Sequence, residues 1–348
     1  MNKKLRIQKL VHHVDVRNIF FVYGGSFING LSLFAINIIL ARGLSVQGFA
    51  IFSLATLALA TIAEMSDFGL NGGLTRFAPY YLKHGQDDKL KQLVKMIWNW
   101  RVWMSVFLTV AGVVGTDMIA TYIFGQPVLS EYLRISFLGI AGVVFLGFTS
   151  TYLKASEQFR YDAVLQSLKG VLRVVVVAVL SVSGIENIGW YLLVYILVPW
   201  ILFFFSYRRL PENFNKISID PETSVVLKKK IAQFSFWLTL WSLSAIVASR
   251  VDQVMLSYML SLKDVALYST AFQFVFVYSL GLQSVSAVLI PKFSSMKTKT
   301  EITEYIKKLY KFLPLLILLL CGGIYLSQFL FPFVFGAKYV DAVPVYLV

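Results

Sequence analysis

The sequence predicts an all-α polytopic membrane protein of two parallel helical repeats, the second incomplete, and three observations predict it. The composition is 57% hydrophobic and 14% charged over 348 residues, whereas soluble domains carry about 25% charged residues. Apolar runs of the ~20 residues that cross a bilayer recur along the chain, separated by polar turns. A stretch near the start also returns at a constant offset of 216 residues. Leu40, Leu44, Ser45, Ala50, Ser53, Ala55 and Phe77 recur as Leu256, Leu260, Ser261, Ala266, Ser269, Ala271 and Phe293. Conservative pairs fill the gaps: Asn37 with Gln253, Val46 with Leu262, Phe52 with Tyr268, Arg76 with Lys292. A fixed offset without insertion points to two copies of one building block.

Met1 to Asn18 is basic and amphipathic, and is expected to lie along the membrane surface. The first span is expected from Ile19 to Ala41, where Gly24, Gly25, Ser26, Gly30 and Ser32 give a small-residue face for close helix contact. The turn RGLSVQG leads to a second span, Phe49 to Leu70, with Glu64 and Asp67 near its far end. A basic loop through Arg76, Lys83, Lys89, Lys91 and Lys95 follows. The third span, Ile97 to Phe124, holds Arg101, and the fourth runs from Tyr132 to Leu153. The fifth, Ala163 to Val182, holds Lys169 and Arg173; the sixth runs from Ile188 to Tyr207.

The hydrophilic linker Arg208 to Lys230 divides an N-lobe, 1–207, from a C-lobe, 231–348. Spans in the C-lobe are expected over Ile231 to Met259, Val265 to Leu289 and Phe312 to Phe335. A tenth apolar segment starts at Ala342; a bilayer needs about 20 residues, so the C-lobe is expected to be shortened at its end. An even number of crossings per repeat makes the halves parallel, related by an axis along the membrane normal.

Charge placement tests this topology. The net charge of +14 suggests nucleic acid, but the charges sit in loops on alternate sides of the apolar runs, which is the positive-inside pattern. One side collects 24 Lys and Arg and the other four: Arg42, Arg250, Lys263 and Lys338. That asymmetry predicts a cytoplasmic N-terminus. The single cysteine, Cys321, excludes a disulfide within the chain, and the three histidines form no metal cluster. Trp98, Trp100 and Trp103, with Tyr80 and Tyr81, are expected as interfacial anchors.

The patterns LARGLSVQGFAIFSL, DFGLNGGLTRF and SRVDQVMLSYMLSLKDVALYS, with the closing FGAKYVDAVP, resemble the polysaccharide-biosynthesis flippases. These are the Wzx-type O-antigen and exopolysaccharide exporters of the multidrug/oligosaccharidyl-lipid/polysaccharide superfamily. The resemblance covers most of the chain. It implies a MATE-like fold of two six-helix lobes around a central cavity that faces alternate sides. The implied activity is transport, not catalysis: an undecaprenyl-pyrophosphate-linked oligosaccharide crosses the bacterial inner membrane for O-antigen, capsule or exopolysaccharide synthesis. The implied partners are that lipid-linked glycan, membrane lipids, and the polysaccharide polymerase and chain-length machinery; no cofactor and no nucleic acid are implied. Set against that family the chain is expected to lack the last helices, so an inactive truncated remnant is a further alternative. A drug or cation antiporter of the same superfamily would favour acidic residues in its cavity. A membrane glycosyltransferase would usually carry a large outer loop with carboxylates.

Intramembrane charges are the candidate site residues, because each costs about 2.5–3.5 kcal/mol on insertion scales and so faces protein or water. Lys169 and Arg173 share one helix face, and Arg173 lies roughly 15 Å from the helix end at 1.5 Å per residue. The pair either lines the cavity and attracts the pyrophosphate or forms an internal salt bridge with Glu64 or Asp67. Arg250 and Asp252 point in different directions on one helix, as substrate or gate residues or as solvated groups. Glu64 and Asp67 share a face and either carry a coupling proton or cation or cap and solvate the helix end. Asn37 and Gln253, matched by the repeat, either bond across the lobes or serve helix packing.

Overall fold

The computed structural model describes residues 3–217, 221–273, 289 and 299–347, and among these residues there is no strand. The main helices of the first half are α1 (Lys3–Gly43), α2 (Val46–Met65), α3 (Leu70–Lys83), α4 (Asp87–Val114), α5 (Ser130–Phe137), α6 (Ile140–Ala155), α7 (Phe159–Val182) and α8 (Ile188–Tyr207), with short helical turns over Thr116–Met118, Ile119–Ile123 and Pro127–Leu129 between α4 and α5. The second half holds α9 (Pro221–Met259), α10 (residues 262–273), α11 (Lys299–Phe335) and α12 (Val343–Leu347). Among the described residues six helices are long and apolar enough to cross a membrane, or seven if α5 and α6, bent by 47° at their junction, count as one broken span. The protein is a multi-pass membrane protein with two helical lobes.

Several boundaries differ from those expected. α1 is one continuous helix from Lys3, since no Gly or Pro interrupts its basic first part. The expected basic loop is mostly helix. α3 buries Leu74, Ala78 and Tyr81 on one face, and α4 begins at Asp87 and buries Leu90, Leu93, Val94 and Ile97. Their spacing is helical, although the intervening lysines make the stretch read as a loop. α9 starts at Pro221, inside the expected linker, and α11 starts at Lys299. The rest of the expected Val265 to Leu289 span lies outside the described residues, apart from Leu289, as do Lys292 and Phe293 of the repeat.

The two copies of the repeated turn are built alike. Ser45 caps α2, its hydroxyl accepting from the Gly48 N–H at 3.0 Å. At the matching place Ser261 caps α10. Its hydroxyl accepts from the Asp264 N–H at 3.4 Å while the Asp264 carboxylate accepts from the Ser261 N–H at 3.1 Å, a reciprocal cap. The Ser261 hydroxyl also holds the Asp264 carboxyl below its usual range.

Part of the small-residue face of α1, at Gly25 and Ser32, packs along α7, while Gly24 meets nothing within 4 Å and Ser26 is exposed. A Cβ added at Gly25 would lie 2.6 Å from the Ala163 Cα, and one at Gly170 would lie 3.0 Å from the Asn29 Cα. Large apolar side chains fill the N-lobe interior, with Ile36, Phe49, Phe52, Leu54, Phe137 and Tyr191 all but fully buried. Trp98 is no interfacial anchor: its ring lies 4.8 Å from Phe145 and 5.7 Å from Phe203, within the bundle. Trp100 and Trp103 are exposed, as anchors would be.

Candidate functional site

The ends of the helices define a charge-rich face, carrying the loops dense in Lys and Arg, and an opposite charge-poor face. At the charge-poor face the lobes are tied by reciprocal cation caps. Arg42, at the end of α1, donates to the Val334 carbonyl at 2.8 Å and to that of Phe333, in the last turn of α11. Lys338, just past α11, donates to the Arg42 and Leu44 carbonyls at 3.1 and 2.6 Å. Each cation thus satisfies carbonyls that a helix end leaves without partners. Burial holds the Lys338 ammonium below its usual range. Beneath these ties, Phe34 meets Phe335 and Phe49 meets Tyr339, edge to face at 6.1 and 6.0 Å. Gln126 adds a bond to the Ser257 carbonyl at 2.9 Å.

A cavity of about 400 Å³ lies deeper, between α2, α4, α6 and α9, with Glu64, Asp67, Asn71, Arg101 and Trp241 on its wall. The chain reaches it through a sharp reversal after α2, where Phe68 and Gly69 adopt left-handed backbone at φ 45° and 68°. Only glycine does so freely, and a Cβ at residue 69 would also lie 2.6 Å from the Ser235 carbonyl. The reversal puts Asp67 at the start of α3, where one carboxylate oxygen accepts from the Asn71 N–H at 3.1 Å. The same oxygen accepts from Arg101 Nη2. Arg101 is 3% exposed, also donates to Asn71 Oδ1 at 2.8 Å, and leaves its Nε without a partner. Glu64, one turn earlier, pairs with Arg250 of α9 at 3.5 Å, which makes it an ion pair between lobes.

Arg250, grouped with the charge-poor loops by sequence, therefore lies within a span. Glu64 and Asp67 do not pair with Lys169 or Arg173: their partners are the two other arginines. Arg173 is buried between α7 and α8. Its guanidinium sits 4.2 Å from the Tyr195 ring centroid and donates to the Tyr195 carbonyl at 3.4 Å. Lys169 is half-buried one turn away. Among the described residues neither makes an ion pair with a carboxylate. The nearest acidic group on α7, Asp162, is buried and accepts from Ser150 at 2.5 Å, with Lys154 at 3.5 Å.

Of the remaining candidates, Asp252 and Gln253 both bond to α10 and Asn37 does not. Asp252 accepts from the Tyr268 hydroxyl. Gln253 donates to the Ser269 hydroxyl at 3.1 Å, and Ser269 lies 3.1 Å from the Ser53 hydroxyl. Ser53 and Ser269 are matched positions of the repeat, so α2 and α10 meet where the two copies face each other. Asn37 does not reach Gln253; it donates to Leu33 of its own helix at 2.8 Å. Arg101 was missing from the sequence-derived site. Its position in an apolar span was the signal, and its place beside a basic segment made it resemble a boundary residue.

Comparison with known proteins bears on this geometry. The profile of the polysaccharide biosynthesis protein family matches residues 16–297. No curated protein matches the chain in sequence. Among solved structures, a mutant MATE protein is 16% identical, with TM-score 0.66, over 96% of this chain and 79% of the other. The inward-facing conformation of a multidrug resistance MATE family transporter of the MOP superfamily is 14% identical, with TM-score 0.66, over 92% and 77%. A MOP superfamily transporter from Pyrococcus furiosus, described as having a binding pocket of reverse polarity, is 13% identical, with TM-score 0.60, over 96% and 79%. At these identities the likeness is one of fold.

Proposed function

The chain belongs to the polysaccharide biosynthesis protein family, and from that premise we propose that it is a flippase for lipid-linked oligosaccharide. The substrate is an undecaprenyl-pyrophosphate-linked glycan, carried from the inner to the outer leaflet of the bacterial inner membrane by alternating access. The N-terminus is cytoplasmic, so the charge-rich face is the inner one. The polysaccharide polymerase and chain-length machinery then take up the product.

The observation that carries this reading is the pair Lys169 and Arg173, positive charge at membrane depth without a carboxylate partner among the described residues. A diphosphate head group cannot cross hydrocarbon unaided, and uncompensated cations in a low-dielectric interior attract it strongly. The ties at the charge-poor face fit a carrier closed to the outside and ready to load from within. An antiporter of cations would need free carboxylates in its cavity; here Glu64 and Asp67 are both engaged by arginines.

The test uses cells lacking their own flippase. With this chain supplied, an outside-only glycan label on spheroplasts should report lipid-linked oligosaccharide in the outer leaflet. Arg173→Ala, at equal expression, should abolish that label. Unchanged labelling in the variant would remove Arg173 from the mechanism, and absent labelling with every glycan-lipid tried would overturn the flippase.

A further inference from the structure

The buried arginine of the cavity already carries an oxyanion, supplied by its own chain. We propose that Asp67 is an internal stand-in for the substrate: it occupies on Arg101 the place that a phosphate group of the carried diphosphate takes. This rests on the flippase reading above, because it takes the anion to be part of the carried head group.

Three observations carry it. Arg101 is almost wholly buried yet forms part of the cavity wall. A guanidinium offers five N–H donors in a planar fork that matches phosphate or carboxylate two at a time. Here Asp67 engages the fork through one oxygen only, which it shares with the Asn71 N–H; Asn71 Oδ1 and Ser66 Oγ accept further fork bonds at 2.8 and 3.3 Å, and the buried Arg101 Nε has no partner. The fork is held without being saturated, so a phosphate that supplies two oxygens makes more charge-assisted bonds than Asp67 does.

Asp67 is also placed to transmit its own displacement. It lies in the reversal that follows α2, three residues beyond Glu64, whose partner Arg250 stands in the opposite lobe. Exchange of Asp67 for phosphate on Arg101 moves the end of the helix that carries this inter-lobe pair. Loading of the cavity and loosening of the lobes are then linked through one turn of chain.

The purified protein in lipid nanodiscs tests this with farnesyl diphosphate as probe and farnesol as the uncharged control. Asp67→Asn keeps an acceptor for the Asn71 N–H and removes the competing charge. It should bind farnesyl diphosphate about fivefold more tightly than the unmodified protein, as expected for losing a charged hydrogen-bond competitor. Arg101→Gln should bind it about tenfold more weakly, and farnesol should not distinguish the proteins. If Arg101→Gln fails to fold, Asp67→Asn with Arg101→Gln, which removes both charges of the pair together, replaces it and should bind as weakly. Unchanged or weaker binding by Asp67→Asn, or full binding without Arg101, would overturn the proposal. The two readings fail separately. Tighter binding by Asp67→Asn with no outer-leaflet label keeps the anion site and removes the flippase. Label that depends on Arg173, with binding indifferent to Asp67 and Arg101, does the reverse.

Discussion

The arginines within the spans divide by how their charge is answered. Arg101 and Arg250 each meet a carboxylate, whereas Arg173 is met by the face of Tyr195 and by a backbone carbonyl. A ring face is a weak counter-charge, contributing up to about 2 kcal/mol when desolvated, so it fixes the guanidinium without neutralising it. Tyr195→Leu should therefore lower the thermal unfolding temperature by the equivalent of about 1–2 kcal/mol, while Tyr195→Phe should hold it; equal losses would assign the effect to the hydroxyl. The charged residues themselves stood out in the sequence as polar groups in apolar runs. Their partners did not, because Asp67 and Arg101 are 34 residues apart and Glu64 and Arg250 lie in different lobes. Which acid meets which base is decided by how helices pack.

Helices were legible where apolar runs were long and turns short. Ile188–Tyr207 coincides with the expected sixth span, and the Ser45 and Ser261 caps mark the matched turns. They were illegible where charge masked a helical period, as in α3 and the first turns of α4. The small residues of α1 could be read as a contact face, but not which helix they contact. That α7 is the partner makes a specific demand, since Gly25 faces backbone atoms of Ala163 and not a movable side chain. Gly25→Val should force α1 and α7 apart and destabilise the protein by about 1–3 kcal/mol, read as a lower unfolding temperature in detergent. Gly24→Val, where an added Cβ meets nothing within 4 Å, is the matched control and should change little.

At the scale of the whole molecule, few bonds among the described residues hold the lobes together at the charge-poor face. Arg42 and Lys338 both end on carbonyls of the facing lobe, and neither bond needs an acidic partner, so these ties are less exposed to screening of paired charges by salt. Replacing both by alanine should shift the population toward separation at that face. A cysteine at Asn37, in a background with Cys321 replaced, should then react faster with a membrane-impermeant maleimide added from the charge-poor side. An unchanged rate would place the closure in the aromatic contacts beneath. The two-lobe plan was visible from the constant offset of the repeat, whereas the closed state of this face was not, because Lys338 and Arg42 are not matched positions.

The meeting of Ser53 with Ser269 has a consequence of its own. A side chain on a two-fold axis faces its own copy, as in any isologous contact. Such a position must be self-complementary. Two carboxylates or two ammonium groups would repel each other there, and two methyl groups would leave Gln253 without its acceptor. A hydroxyl can donate to one neighbour while accepting from another, so a single residue type serves both halves. When one gene segment encodes both copies, that is the chemistry the axis permits; once the copies diverge, each serine is free to change only in step with the other.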